Sequence, residues 1–145
     1  MLEPIAYPEN FMHQMTVQYR GGYRTEALHL DSTNQIITDA PKDNQGQGMA
    51  FSPTDLMSTS LASCMLTIMA MKAKALGLEF PEVRVELQKK MQASPRKVQE
   101  IVLRFDWRGW DQQISPEQLE ELKQAGLNCP VALSLDPSVL KTLHW

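Results

Sequence analysis

Between Asp55 and Lys72 the chain carries no charge. This run sits inside residues 52–78, whose spacing predicts one long helix. Ser52 is the expected N-cap, Pro53 suits the first helical position, and Asp55 stands where a capping box wants an acid. Gly77 is the expected stop, with Leu76 and Leu78 beside it to bury. Met57, Ser60, Leu61, Cys64, Ile68, Met71 and Ala75 follow helical spacing on one face, while Leu56, Met65, Leu66 and Met69 lie opposite. A helix that is apolar nearly all round must be buried on most sides. Cys64 falls near its middle, among Ser58, Ser60, Ala62 and Ser63, whose small side chains let another backbone come close. The uncharged run 56–71 is shorter than a bilayer span and rich in Ser and Thr, so a membrane helix is not expected.

At 145 residues a single domain over 1–145 is the default. A net charge of −3 gives no reason to expect nucleic acid or an anionic membrane as partner. Residues 1–10 lack a basic region followed by an apolar one, so a cytoplasmic protein without a signal peptide is expected. The two cysteines, Cys64 and Cys129, form no CxxC, and His13, His29 and His144 are scattered. No metal site or cofactor is expected. In a reducing compartment a pair of thiols is chemical or merely buried rather than a permanent staple.

Read in order, residues 1–10 form a loose arm with two prolines. Strands are expected at 11–19, 23–30 and 35–38, with Met15, Val17 and Tyr19 on alternate positions and Gly21-Gly22 as the first turn. Residues 41–48, PKDNQGQG, read as a flexible loop. After the long helix, Val83, Val85 and Leu87 alternate with polar residues, and Ile101, Leu103, Phe105 and Trp107 line the buried face of the returning strand. Ser115-Pro116-Glu117-Gln118 is a second capping box, opening a short amphipathic helix stopped by Gly126. Asn128-Cys129-Pro130-Val131 repeats the helix-start pattern, and residues 139–145 read as a closing strand. This order gives an α+β fold with antiparallel sheets. One small sheet cannot cover a helix apolar on all sides; a dimer sandwiching two such helices between sheets could.

Cys129 precedes Pro130 at a predicted helix start, where backbone N–H groups favour a thiolate and lower a thiol's pKa. A small residue fitting a tight turn is the equally weighted alternative. Cys64 sits in apolar company, where desolvation raises a thiol's pKa, so composition alone makes it a packing residue. A catalytic role would need an imported cation, for which Arg20 and Arg24, flanking Gly21-Gly22, are the candidates. Asp55 reads either as a helix cap or as a carboxylate orienting such an arginine.

Two segments, SPTDLMSTSLASC at 52–64 and NCPVALSLDP at 128–137, resemble the OsmC/Ohr family of osmotically inducible and organic-hydroperoxide-resistance proteins. The element order agrees from about residue 19 onward. The resemblance implies an intertwined homodimer, with antiparallel sheets wrapped around long central helices. It also implies a thiol-dependent peroxidase that needs an organic hydroperoxide and an external thiol reductant. By matching, Cys64 becomes the attacking thiolate and Cys129 the resolving thiol, reversing the ranking that composition suggests. An arginine of the N-terminal hairpin, Arg20 or Arg24, and the acid at the helix start, Asp55, complete the implied site. Met57, Leu61, Met65 and Ile68 would form an apolar wall suited to a greasy hydroperoxide. In the best-characterised peroxidases of the family the acid falls one position earlier, where this chain has Thr54; an acid at 55 is similar to the broader OsmC-like branch. Two rival readings share the fold: a non-enzymatic protein holding an apolar ligand, and a thiol redox sensor.

Overall fold

The alternation at Met15, Val17 and Tyr19 and the turn signal after it build a three-stranded meander. The computed structural model describes Met12 and residues 14–145; the expected arm at 1–10 and residues 11 and 13 of the expected strand lie outside them. The described residues gather into two compact units, one ending at Pro53 and the other running from Thr54 to Trp145.

In the first unit β1 (Met15–Gly21), β2 (Arg24–His29) and β3 (Gln35–Asp39) pair antiparallel in chain order. Gly22 and Tyr23 form the tip of the first hairpin with φ of 60° and 63°, the left-handed pair that a two-residue turn requires. The register slips between Tyr19 and Gly21, which leaves Arg20 unpaired in a bulge. In the second hairpin Arg24 stands directly opposite Asp39, and Thr25 opposite Thr38.

The segment expected to be a flexible loop is instead held along its length. It contains a 3-10 turn at Lys42–Asn44. Gly46 N–H donates to the Pro41 carbonyl at 3.0 Å, and Gly48 N–H to the Ala40 carbonyl at 3.1 Å. A Cβ at Gly46 would stand 1.7 Å from the Ala40 oxygen. The glycines are there to let backbone approach backbone.

The second unit is built on α1 (Pro53–Ala75). Its end forms a complete Schellman motif: Leu78 N–H bonds the Ala73 carbonyl at 2.9 Å and Gly77 N–H the Lys74 carbonyl at 3.0 Å, with Gly77 at φ 73°. By length and hydropathy α1 could cross a bilayer. In the fold its stripe Ser58, Leu61, Ala62, Met65, Met69 and Ala73 is buried, and its apolar members belong to the core with Ile101, Leu103 and Phe105. Burial on most sides, expected from the sequence, is not found within one chain. Ser60, Ser63, Thr67, Met71 and Lys74 form an exposed face. Its Ser60 and Thr67 hydroxyls donate to the Met57 and Ser63 carbonyls at 2.7 and 2.9 Å, so they are satisfied inside the helix.

β4 (Arg84–Ala93) and β5 (Arg96–Asp106) form a long antiparallel hairpin. Ile101, Leu103, Phe105 and Trp107 are all buried, as the alternation requires. β6 (Leu140–His144) joins β5 in parallel, against the expectation of wholly antiparallel sheets. The helical segment between β5 and β6 carries the chain back to the starting end of β5, and such a crossover delivers a parallel strand.

In α2 (Pro116–Leu127) the capping box forms in both directions: Ser115 Oγ accepts from Gln118 N–H at 3.1 Å, and Gln118 Oε1 from Ser115 N–H at 3.0 Å. Gly126 does not stop this helix; it lies inside it and is buried. A Cβ there would meet Met69 Sδ at 2.9 Å, so the glycine marks where α2 rests on α1. α3 (Pro130–Ser134) follows directly.

Candidate functional site: two thiols beside the core helix

Cys64 lies midway along α1, half-buried at the edge of the core stripe. Cys129 reaches it from the start of α3. Asn128 closes α2, its side-chain amide donating to the Gln124 carbonyl at 2.8 Å. The chain then extends through Cys129 at φ −67° and ψ 154° before Pro130 opens α3. Cys129 Sγ takes the position a cap oxygen usually fills, accepting the Ala132 N–H at 3.4 Å.

Both thiols are free, and the Cys64 side chain lies within hydrogen-bonding reach of Cys129. Cys129 is fully buried. Burial pushes its pKa up, contact with Cys64 pushes it further, and the Ala132 and Val131 N–H groups pull the other way without prevailing. The depressed pKa expected from its place at a helix start is therefore corrected: desolvation outweighs one turn of helix.

The four residues read as an apolar wall divide. Leu61 and Met65 have almost no accessible surface, at 0% and 1%, and serve the core. Met57 and Ile68 are half-buried. Met57 also lines a groove of about 400 Å³ with Val98, Leu135 and Val139, and with Lys97 and Ser138 among its polar lining residues. Met57 lies two turns before Cys64 and Ile68 one turn after it, so the three share a side of α1.

Asp55 forms an ion pair with Lys89 at 2.7 Å, and Thr54 Oγ1 accepts from the same ammonium at 2.8 Å. Lys89 thus ties the first turn of α1 to β4, a role its place in a charged strand segment does not announce. In the other unit, Arg20 pairs with Glu26 at 2.8 Å on the surface. Arg24 lies 3.5 Å from the buried carboxylate of Asp39 and donates to Gln47 Oε1 at 3.3 Å. The Met49 N–H, donating at 2.8 Å, and then the Arg24 guanidinium hold the Asp39 pKa below the usual carboxylate value against the cost of burial. Asp39 was not singled out in the sequence; pairing the second and third strands of the meander in register would have put it opposite Arg24. Among the described residues no group of His, Cys, Asp and Glu could hold a metal ion.

Fold and site together define a class: α+β proteins with two neighbouring free thiols, one on a long core helix and one capping a short helix. A family model described as OsmC-like protein matches residues 46–143. The chain belongs to the OsmC-like family, within the wider OsmC/Ohr group. A crystal structure from Psychrobacter arcticus 273-4, of a protein named for osmotic stress induction and detoxification response, is 42% identical. The match covers 93% of this chain and 96% of that one, with a TM-score of 0.86. The organic hydroperoxide resistance protein OsmC of Legionella pneumophila shares the fold at 17% identity, with 93% and 98% covered and a TM-score of 0.71. OhrB of Bacillus subtilis, an organic hydroperoxide resistance protein, does so at 18% identity, with 92% and 97% covered and a TM-score of 0.61. No curated protein matches the chain.

Proposed function

We propose that this protein is a thiol-dependent peroxidase that reduces organic hydroperoxides, working as a homodimer. The observation that carries the reading is the meeting of Cys64 and Cys129, 65 residues apart in sequence, at one point beside the core helix. Cys64 is the attacking thiolate. It takes the distal peroxide oxygen, the O–O bond breaks, and the alkoxide leaves as an alcohol once protonated. The resulting sulfenic acid on Cys64 is attacked by the Cys129 sulfur. Water leaves, a disulfide forms, and an external thiol reduces it to restore both groups. A resolving thiol that is buried and reluctant to ionise does not compete for peroxide, and it stands where the sulfenic acid forms.

The family resemblance, not a contact seen here, names an arginine of the β1–β2 hairpin, Arg20 or Arg24, as the residue to supply positive charge for the reaction. Asp55 fixes the first turn of α1 through Lys89. Met57 and Ile68, together with the apolar part of the groove beside Met57, favour an alkyl hydroperoxide over hydrogen peroxide.

Peroxide consumption by purified variants tests the assignment. Cys64→Ser should abolish it. Cys129→Ser should consume one equivalent and then stall as the sulfenic acid. Undiminished turnover in Cys64→Ser contradicts the roles given. Equal rates with an alkyl hydroperoxide and with hydrogen peroxide contradict the selectivity.

A further inference from the structure

We propose that the external thiol attacks the Cys64 sulfur of the oxidised pair, so that reduction passes through a mixed disulfide on Cys64 and Cys129 is the sulfur that leaves. This rests on the two-thiol reading above and assigns the step that restores the pair. A thiolate opens a disulfide by approaching one sulfur along the line of the S–S bond, from the side away from the sulfur that leaves. Each sulfur of the pair is therefore reached from its own far side.

The two far sides differ. Cys129 has no accessible surface, so protein stands all round it. Its backbone N–H donates to the Gly126 carbonyl at 3.1 Å, and its carbonyl accepts the Leu133 N–H at 3.0 Å. The Ala132 N–H donates to its sulfur at 3.4 Å. Baring Cys129 means undoing these bonds and lifting the residue out of the core that it shares with Leu122 and Met69. Cys64 needs no such opening, because it is only half-buried. On α1 its neighbours one turn away are Leu61 and Ile68 on the inner flank and Ser60 and Thr67 on the outer one. Ser60 and Thr67 are small and exposed, and their hydroxyls are turned back onto helix carbonyls.

Leaving-group chemistry works in the opposite direction. Burial and the nearness of Cys64 raise the Cys129 pKa, which makes its thiolate slower to leave. With a coefficient of about 0.5, like that of an attacking thiol, each pKa unit changes an exchange rate only about threefold. A sulfur that no thiol can touch does not react until the fold opens around it, so access outweighs acidity. In the step itself the reductant sulfur bonds to Cys64 Sγ, the bond between the two cysteines breaks, and the Cys129 sulfur takes the electron pair and then a proton. A second reductant thiol attacks the reductant sulfur of the mixed disulfide. Cys64 leaves as the thiolate, and the reductant is oxidised to its own disulfide.

The test locates the first adduct. One portion of the full chain is oxidised with cumene hydroperoxide and another with diamide. Each is mixed with 2-mercaptoethanol, quenched in acid at successive times, blocked with N-ethylmaleimide and mapped by peptide mass. At the earliest times mercaptoethanol should sit on the Cys64 peptide and maleimide on the Cys129 peptide, in about tenfold or greater excess over the reverse. An adduct that forms first on Cys129, or equally on both, overturns the proposal. A second measurement needs no trapping: in Cys64→Ser the remaining Cys129 should react with 5,5′-dithiobis(2-nitrobenzoate) about a hundredfold or more slowly in the folded protein than in urea. Equal rates there also overturn it. A disulfide formed by diamide and not by the hydroperoxide refutes the peroxidase reading, and the diamide portion then still decides which sulfur is attacked. A pair that neither oxidant links refutes both.

Discussion

Among the described residues, three carboxylates are held in their charged form by the fold. Met49 N–H and Arg24 do this for Asp39, Lys90 and Thr142 for Glu100, and Ser138 followed by Lys97 for Asp136. Each has a folded pKa below its unfolded value, so the unfolded chain binds more protons in acid. Their stabilisation is complete above about pH 5, where the unfolded carboxylates are charged, and is lost as pH falls through the lower folded values. The urea midpoint should therefore fall steadily below pH 4.5. Asp39→Asn should flatten that dependence, and an unchanged slope would contradict the account of Asp39. The thiols carry a parallel lesson. Sequence placed Cys129 at a helix start, which is correct, but could not show that it is sealed from water. Cys129 belongs to the buried core that also holds Leu122, Met69 and Ala132, and its burial decides the direction of the shift.

At the scale of elements, local signals were read correctly where a chain segment decides its own conformation. The Ser115 box, the Gly77 stop and the alternation from Ile101 to Trp107 each need only neighbouring residues. The misreadings come where a distant segment decides. Gly126 looks like a helix stop and is a contact point for Met69; Gly46 and Gly48 look like slack and are close approaches to Ala40 and Lys42. β6 runs parallel because of where α2 and α3 leave the chain. Of the candidate residues, Cys64 and Cys129 were named from the sequence and lie together in the fold, while the tie from Lys89 to Asp55 follows from packing. Ser115→Ala should cost about 1 kcal/mol through loss of the cap. Gly126→Ala gains helix propensity but forces the buried Met69 side chain aside, so a net loss of about 1 kcal/mol is expected in denaturant unfolding. A stabilised Gly126→Ala protein would show that α2 does not rest on α1 there.

For the whole molecule, the uncovered surface matters as much as the core. Met15, Val17 and Tyr19 lie on alternate positions of β1 and are each more than 60% exposed. Met71 on the open face of α1 is 62% exposed. Apolar surface at this density on two elements is what a homodimer would cover. Sedimentation should give twice the chain mass at micromolar concentration, and the melting temperature should rise with protein concentration. A monomer throughout that range would contradict the dimer.

The reading of function comes down to whether the two sulfurs act together on a peroxide. Titrating the pure reduced protein with an organic hydroperoxide, while counting free thiols and remaining peroxide, answers this directly. The account predicts two thiols lost per chain for each peroxide consumed, both restored by an added thiol reductant. Peroxide left intact with both thiols still free would contradict it.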